Sequence, residues 1–110
     1  MNPTYETIRD DILEQARVEM QNAGHWAALP HLWKAEQLAR GANMPLGDKY
    51  ATLAREAYTG QLRDTMQKIV SYEKRTGRTG EYNLAWEKSR EVARRHGINF
   101  TQLEREVRGQ

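Results

Sequence analysis

Apolar residues recur every three or four positions through most of the chain, which is the period of an α-helix with one buried face. No stretch alternates polar and apolar residues for long, so strands are not expected. In the first segment the expected apolar stripe is Tyr5, Ile8, Ile12, Ala16 and Met20. We expect Asn2 to be the N-cap, with Pro3 in the first turn, and Gly24 to end this helix.

The second predicted helix lies within residues 26–40. Its expected buried residues are Leu29, Leu32, Trp33 and Leu38. Pro30 leaves two alternatives open, because an interior proline loses a hydrogen bond and clashes with the turn before it. Either the regular helix begins at Pro30, or a preceding turn is kinked there.

A connection over residues 41–47 precedes the third predicted helix, for which Asp48 is the expected cap. This helix reaches about residue 75, and Gly60 is a point where it breaks in two in an alternative interpretation. Its apolar positions are Tyr50, Leu53, Ala57, Tyr58, Leu62, Met66, Ile69 and Val70.

A basic turn with two glycines, residues 74–80, separates the third helix from a fourth over residues 81–96. A short fifth helix follows Gly97, with Asn99 as its expected cap. Its apolar side is Ile98, Phe100, Leu103 and Val107.

The predicted fold is therefore all-α, with five helices, or six if Gly60 breaks the third. We expect two antiparallel hairpins and a short C-terminal helix that acts as a lid. A length of 110 residues fits one domain over residues 1–110.

A hydrophobic content of 38% and a charged content of 29% are typical of a globular protein and not of a disordered one. The sequence contains no cysteine, which excludes disulfides and thiolate metal sites. The start has neither a signal-peptide pattern nor a long apolar run, so we expect no membrane association and a cytoplasmic location.

The charge is uneven along the chain. Residues 1–54 contain five basic and seven acidic residues, a net charge of −2, whereas residues 55–110 contain twelve and eight, a net charge of +4. This asymmetry points to a polyanion as a candidate partner of the second half.

The sequence offers little for catalysis. His25 and His31 are six residues apart, which places them on largely opposite sides of a helix, and His96 fits a helix C-terminus. Position 91 is Glu91, so the Arg-x4-His motif of helical ribonucleases is absent. No phosphate-binding loop, nucleophile elbow or zinc-protease motif occurs. We therefore expect a protein that is not an enzyme and needs no cofactor, metal or small-molecule substrate.

Most charged residues have a structural explanation. Glu91 with Arg95 and Glu104 with Arg108 have the i,i+4 spacing that stabilises exposed helices. The three tryptophans, Trp26, Trp33 and Trp86, are expected in the core. Tyr72 and Tyr82 flank the basic turn, where they either pack in the hairpin or stack on nucleic-acid bases.

A weak internal similarity links two segments. Residues 23–26 and residues 79–82 each place an aromatic residue two positions after a glycine, and each segment leads into a helix with small residues. This pattern resembles the second helix of tetratricopeptide-type hairpins. The resemblance implies a helical-hairpin protein that binds other proteins. The alternative, which the sequence favours, is two helical hairpins built to similar packing rules.

Residues 89–107 resemble the helix-turn-helix of DNA-binding regulators. In that resemblance Ala93 is the small residue at the helix crossing, Gly97 is the turn residue, and Ile98 and Leu103 fix the angle. The alternative is a helix capped by Gly97 and followed by a short packing helix.

Two binding hypotheses follow. In the first, the basic second half binds nucleic acid. The expected site residues are Lys74, Arg75, Arg78, Arg90, Arg94, Arg95, Asn99, Thr101, Gln102 and Arg105. Lys74 and all the arginines except Arg105 would contact phosphates, while Asn99, Thr101, Gln102 and Arg105 would reach base edges. In the second hypothesis the chain is a helical adaptor that binds a protein partner or self-associates.

Overall fold

The computed structural model describes residues 3–78 and 83–109, and all regular structure in that part of the chain is helical. The helices are α1 (Tyr5–Ala23), α2 (His25–Ala42), α3 (Gly47–Thr76), α4 (Asn83–Arg95) and α5 (Phe100–Arg108). The prediction of an all-α fold is confirmed. Because α3 runs through Gly60 without a break, the described residues form five helices and not six.

The chain divides into two compact units, Met1–Ala57 and Tyr58–Gln110, with the boundary inside α3. The first unit contains six basic and eight acidic residues, and the second contains eleven and seven. Their net charges are therefore −2 and +4. The single domain expected over residues 1–110 stays a prediction.

The first helix begins later than predicted. Thr4 is the N-cap of α1, and its hydroxyl accepts a hydrogen bond from the Thr7 amide at 3.2 Å. Pro3 precedes this cap instead of lying in the first turn, and Asn2 lies outside the described residues. A threonine hydroxyl can accept from a free amide at a helix start, as the asparagine side chain expected there would. The helix therefore begins directly after Thr4.

Burial on α1 differs from the predicted stripe. Leu13 and Ala16 are the buried residues of α1, whereas Ile8 is 37% exposed. Residues five apart lie about 140° apart around a helix, so burying Leu13 turns Ile8 towards the surface.

A single residue, Gly24, separates α1 from α2, and its φ of 92° suits glycine. The α2 helix begins at His25 and not at Pro30, so a helical turn precedes the proline. Its buried residues are Ala28, Leu32, Ala35 and Ala39. Trp33 is 60% exposed and Leu29 and Leu38 are half-buried, which corrects the predicted buried face. Alanines at three of four buried positions let neighbouring helices approach too closely for an indole ring to fit between them.

The connection from α2 to α3 is fixed at both ends. Asn43 has a left-handed conformation with φ 52°, and the Met44 amide donates to the Ala39 carbonyl at 3.0 Å, which closes α2. The Tyr5 hydroxyl donates to the Pro45 carbonyl at 2.8 Å, so the connection is tied to the first turn of α1. Asp48 lies inside the first turn of α3 instead of capping it, where its charge still favours the helix N-terminus.

The second unit has its own core, formed by residues of α3, α4 and α5. It consists of Leu62, Met66, Val70, Ala93, Phe100, Leu103 and Val107. Gly97 ends α4 with φ 66°, and the Ile98 amide donates to the Ala93 carbonyl at 2.8 Å. The Asn99 side chain caps α5 by accepting from the Gln102 amide at 3.0 Å, which confirms the cap predicted there.

Candidate nucleic-acid interface and candidate binding groove

The residues expected to contact phosphates near the end of α3 are exposed. Lys74 and Arg75 lie in the last turn of α3, and Arg78 follows it. The Arg75 guanidinium lies 5.8 Å from the centre of the Tyr72 ring. Residues 79–80 of the basic turn lie outside the described residues, and so does Tyr82. Tyr72 is therefore in contact with an arginine of its own helix.

The arginines of α4 are exposed but differ in their contacts. Arg94 donates to Glu91 through two nitrogens, one of them Nε at 3.1 Å, and this pair raises the pKa of Arg94 and lowers that of Glu91. Glu91 thus forms its hydrogen bonds with Arg94 and not with the predicted Arg95, whose positive charge also lowers the pKa of Glu91. Arg95 forms no hydrogen bond or ion pair with any described residue. Arg90 lies 3.5 Å from Glu87 and 4.8 Å from the centre of the Phe100 ring.

The residues expected to reach bases lie at the start and on the outer face of α5. Thr101, Gln102 and Arg105 are exposed. The oxygen of Asn99 is already used by the Gln102 amide, so its role at the helix start is structural. Phe100 is only 8% exposed and belongs to the core, which anchors the first turn of α5.

Carboxylates on α5 are engaged by arginines. Glu106 accepts from Arg63 at 3.1 Å. Glu104 accepts from Arg108 at 3.0 Å, as the i,i+4 spacing predicted, and Arg108 also reaches Glu73 at 3.3 Å. These contacts partly neutralise the acidic residues near Thr101 and Arg105.

The predicted phosphate-contacting cations lie on two helices that both contact α5. Arg90 of α4 contacts Phe100 at the first turn of α5, while Glu73, next to Lys74 on α3, contacts Arg108 at the last turn. Arg108 also lies 4.9 Å from the centre of the Trp86 ring of α4, so the last turn of α5 contacts both α3 and α4.

A groove that the sequence analysis missed lies in the first unit. It has a volume of about 660 Å³ and is lined mainly by apolar surface between α1 and the beginning of α3. Its lining residues are Asp10, Leu13, Glu14, Arg17, Met20, Gln21, Asp48, Lys49, Thr52, Leu53 and Glu56. On the sequence alone these charged residues look like an ordinary solvated face, because nothing shows that α1 and α3 lie side by side.

The N-terminal turns of α1 and α3 are held together by polar contacts. Lys49 lies 3.6 Å from Asp10, and Arg9 donates to Asp10 at 3.1 Å and to the Pro45 carbonyl at 3.3 Å. The hydrogen bond from Arg9 is the main cause that lowers the pKa of Asp10, and the positive charges of Arg9 and Lys49 lower it further. Further along α1 the groove opens over Leu13 and Met20, so its apolar floor lies beyond this polar end.

The rim of the groove is acidic on balance, with four carboxylates and two cations. Glu14 accepts from Arg17 at 3.0 Å, which lowers the pKa of Glu14. Asp48 and Glu56, on the α3 side, form no ion pair within the described residues. The α3 side of the rim thus carries two carboxylates, Asp48 and Glu56, and one cation, Lys49.

A second exposed apolar surface in this unit lies on α2. Trp26 and Trp33 are 47% and 60% exposed, and Pro30 between them is also exposed. Residues spaced by four and seven lie on one side of a helix, so these three side chains form one surface, which we call the tryptophan face. It lies opposite the buried alanines of α2. The expectation that Trp26 and Trp33 belong to the core is therefore wrong.

Within residues 3–78 and 83–109 no group of three or more His, Asp or Glu side chains has an arrangement that would hold a metal ion. No helix in the same part of the chain is long and apolar enough to cross a bilayer.

No protein-family model, curated protein or solved structure matches this chain significantly.

Proposed function

We propose that the chain is a non-enzymatic adaptor whose first unit holds a helical segment of a protein in the groove between α1 and α3. The observation that carries this proposal is a groove between charged rims with an apolar floor, in which Leu13 and Leu53 are 3% and 9% exposed and Met20 is half-buried. An apolar groove between two helices is the surface that an amphipathic helix covers in helix-in-groove recognition.

The dimensions of the groove define what it holds. Along α1 the lining extends over the twelve residues from Asp10 to Gln21, a length of about 16 Å or three helical turns. A bound helix that covers this length needs one apolar side, with apolar residues at spacings of three, four and seven.

The α1 and α2 helices are further proposed to form the antiparallel hairpin that the sequence predicts. Support comes from His31 Nε2, which lies 2.9 Å from a Glu19 oxygen across the single-residue link at Gly24. A short distance between spin labels at Ile8 and Arg40 would agree with this arrangement, and a separation of about 45 Å, expected for end-to-end helices, would contradict it.

The groove proposal is tested by filling the groove. Thr52 lines it and is exposed, so Thr52→Trp should block a bound helix without disturbing the core. A displayed library of 14-residue helical peptides is selected against the unmodified chain at about 1 µM. The selected peptides should bind at least tenfold more weakly to Thr52→Trp.

Ala51→Trp is the matched control, because Ala51 is the neighbouring exposed position and does not line the groove. Peptide affinity for this variant should be unchanged. If selection yields no peptides, or if the selected peptides bind Thr52→Trp as well as the unmodified chain, the groove is not a helix-binding site.

Nucleic-acid binding by the second unit is the second candidate function. It is favoured by the net charge of +4 and by Arg95 and Arg105, which are exposed and form no ion pair within the described residues. In this proposal Arg95 and the α3 cations contact phosphates, while Thr101, Gln102 and Arg105 face the nucleic acid. Asn99 serves as the helix cap and drops out of the base-reading set.

A further inference from the structure

We infer that the partner helix of the groove is basic along one side, with two lysines or arginines that face exposed carboxylates of α3. This inference rests on the proposed function of the groove and specifies the chemistry of its partner. It is carried by Asp48 and Glu56 on the α3 rim and by the pairing of the charges on the α1 rim.

The apolar floor of the groove gives little selectivity between partner helices. Leu13 and Leu53 are almost completely buried, and Met20 is half-buried. Buried side chains offer little surface to a partner, so many amphipathic helices fit such a floor about equally well. Selection of one helix over another therefore depends on the exposed side chains of the rims, where charges favour a complementary partner and disfavour one of like charge.

Three exposed residues of α3 line the groove at intervals of four, and we call them the α3 ridge. They are Asp48, Thr52 and Glu56. Side chains four apart form one ridge of a helix, and the carboxylates at the ends of this ridge lie about 12 Å apart along the axis. Neither carboxylate forms an ion pair with a described residue. The neighbouring cation Arg55 does not line the groove.

The two cations that line the groove are both close to carboxylates of α1. Lys49 lies 3.6 Å from Asp10, and Arg17 donates to Glu14 at 3.0 Å. Asp10 also accepts a hydrogen bond from Arg9 at 3.1 Å. The carboxylates of the α1 rim are thus already engaged by cations, and those of the α3 ridge are the ones that a basic partner can meet.

The distance between the ridge carboxylates defines the spacing of the basic residues on the partner. Residues seven apart on a helix are about 10.5 Å apart along its axis and lie nearly in line around it. Two lysines or arginines with this spacing match the two ends of the α3 ridge, because their long side chains cover the remaining distance. The side of the partner that faces α1 needs no net charge.

The expected effect of these contacts is modest and depends on salt. A three-turn helix buries less than the about 1,200 Å² of a stable interface, so we expect affinities in the micromolar range. One exposed ion pair strengthens binding by about two- to fivefold. Two such pairs, compared with two like-charge contacts, should therefore change affinity about tenfold at low salt, and screening should reduce this ratio at high salt.

Two displayed libraries of 14-residue helical peptides test the inference. Both vary one side among apolar residues, and they differ only at two flanking positions seven apart, which are lysine in one library and glutamate in the other. In about 50 mM NaCl the best lysine peptides should bind the unmodified chain about tenfold more tightly than the best glutamate peptides. In about 500 mM NaCl the ratio should fall to about twofold.

Reversing the ridge charges should reverse this preference. Asp48→Lys combined with Glu56→Lys should bind the glutamate peptides more tightly than the lysine peptides. The matched control is Glu6→Lys combined with Asp11→Lys, which changes the net charge equally at exposed positions of α1 outside the groove. Glu6 and Asp48 both lie in the first turn of a helix, so both double variants lose a favourable charge there. The control should still prefer lysine peptides.

A neutral variant covers the case in which charge reversal disturbs folding. Asp48→Asn combined with Glu56→Gln keeps the size of both side chains and should bind the two kinds of peptide about equally. Far-ultraviolet circular dichroism shows whether each variant keeps its helices.

Three results would overturn the inference. These are equal affinity of the unmodified chain for the two kinds of peptide, tighter binding of glutamate peptides, and a lysine preference that the neutral variant retains. If the peptides in these cases lose affinity for Thr52→Trp, the groove still holds a helix and its proposed function stands without a basic partner. If neither library yields peptides that bind, the proposed function falls together with the inference.

Discussion

Trp86 and Trp33 occupy opposite environments in this chain. The Trp86 ring meets the Phe100 ring edge to face at 5.4 Å, and the Arg108 guanidinium lies 4.9 Å above it. Trp33 projects from α2 with 60% of its surface exposed. The contribution of each residue to stability therefore follows from its contacts and not from its residue type.

Substituting each tryptophan by alanine should change the free energy of unfolding by different amounts in the two environments. Trp86→Ala removes contacts with a phenylalanine and an arginine beside the core, and we expect it to lower the free energy of unfolding by about 2–3 kcal/mol. Trp33→Ala should change it by less than about 0.5 kcal/mol. Urea unfolding followed by far-ultraviolet circular dichroism, at a chain concentration of about 1 µM, measures both. Equal losses would contradict the assigned environments.

Glycines inside helices and glycines at helix ends have opposite requirements. Gly41 lies within α2, and a Cβ built on it would meet nothing within 4 Å. Gly97 ends α4 with φ 66°, a left-handed conformation that other residues adopt at a cost. The helix borders thus depend on backbone conformation at single positions.

Gly41→Ala and Gly97→Ala form a matched pair of substitutions. In a helix, alanine is favoured over glycine by about 0.5–1 kcal/mol, so Gly41→Ala should stabilise the chain or leave it unchanged. Gly97→Ala should destabilise it by about 1 kcal/mol or more, because a side chain is placed at positive φ. Thermal unfolding of the two variants measures this difference. A stabilised Gly97→Ala variant would show that the turn after α4 has another conformation.

At the scale of the whole molecule, charge is divided between the two units. The first carries −2 and contains the acidic-rimmed groove, and the second carries +4. Several cations of the second unit are held by carboxylates, as Arg94 is by Glu91, so fewer of them are available to a polyanion than the sequence suggests. The two candidate functions therefore belong to different units, helix binding to the first and nucleic-acid binding to the second.

Nucleic-acid binding, if it occurs, should depend strongly on salt. With four to six phosphate contacts, log K for duplex DNA should fall with log salt at a slope of about −4 to −5. Removing one phosphate contact with Arg95→Ala should flatten the slope by about one, whereas Arg17→Ala in the first unit should leave it unchanged. Fluorescence anisotropy between about 20 and 200 mM NaCl measures these slopes. Absence of salt-sensitive binding to DNA and RNA would remove this candidate.

The sequence by itself determined the helical class and several helix ends, because these depend on interactions within a few residues. Asn99 caps α5 through the amide three positions later, and Gly97 ends α4 with a positive φ. Such signals act within a few residues and can be recognised without knowledge of the neighbouring helices. The exposed positions of α5, Thr101, Gln102 and Arg105, followed from the same helical periodicity.

Only the tertiary structure decided which helix faces are buried and where a groove remains. Leu13 and not Ile8 is buried on α1, and Trp33 is exposed, because packing against neighbours fixes the rotation of each helix about its axis. The groove depends on α1 and α3 lying side by side, joined by contacts such as that of Asp10 with Lys49. Those residues are 39 positions apart in the sequence, and helical periodicity carries no information about contacts at that separation.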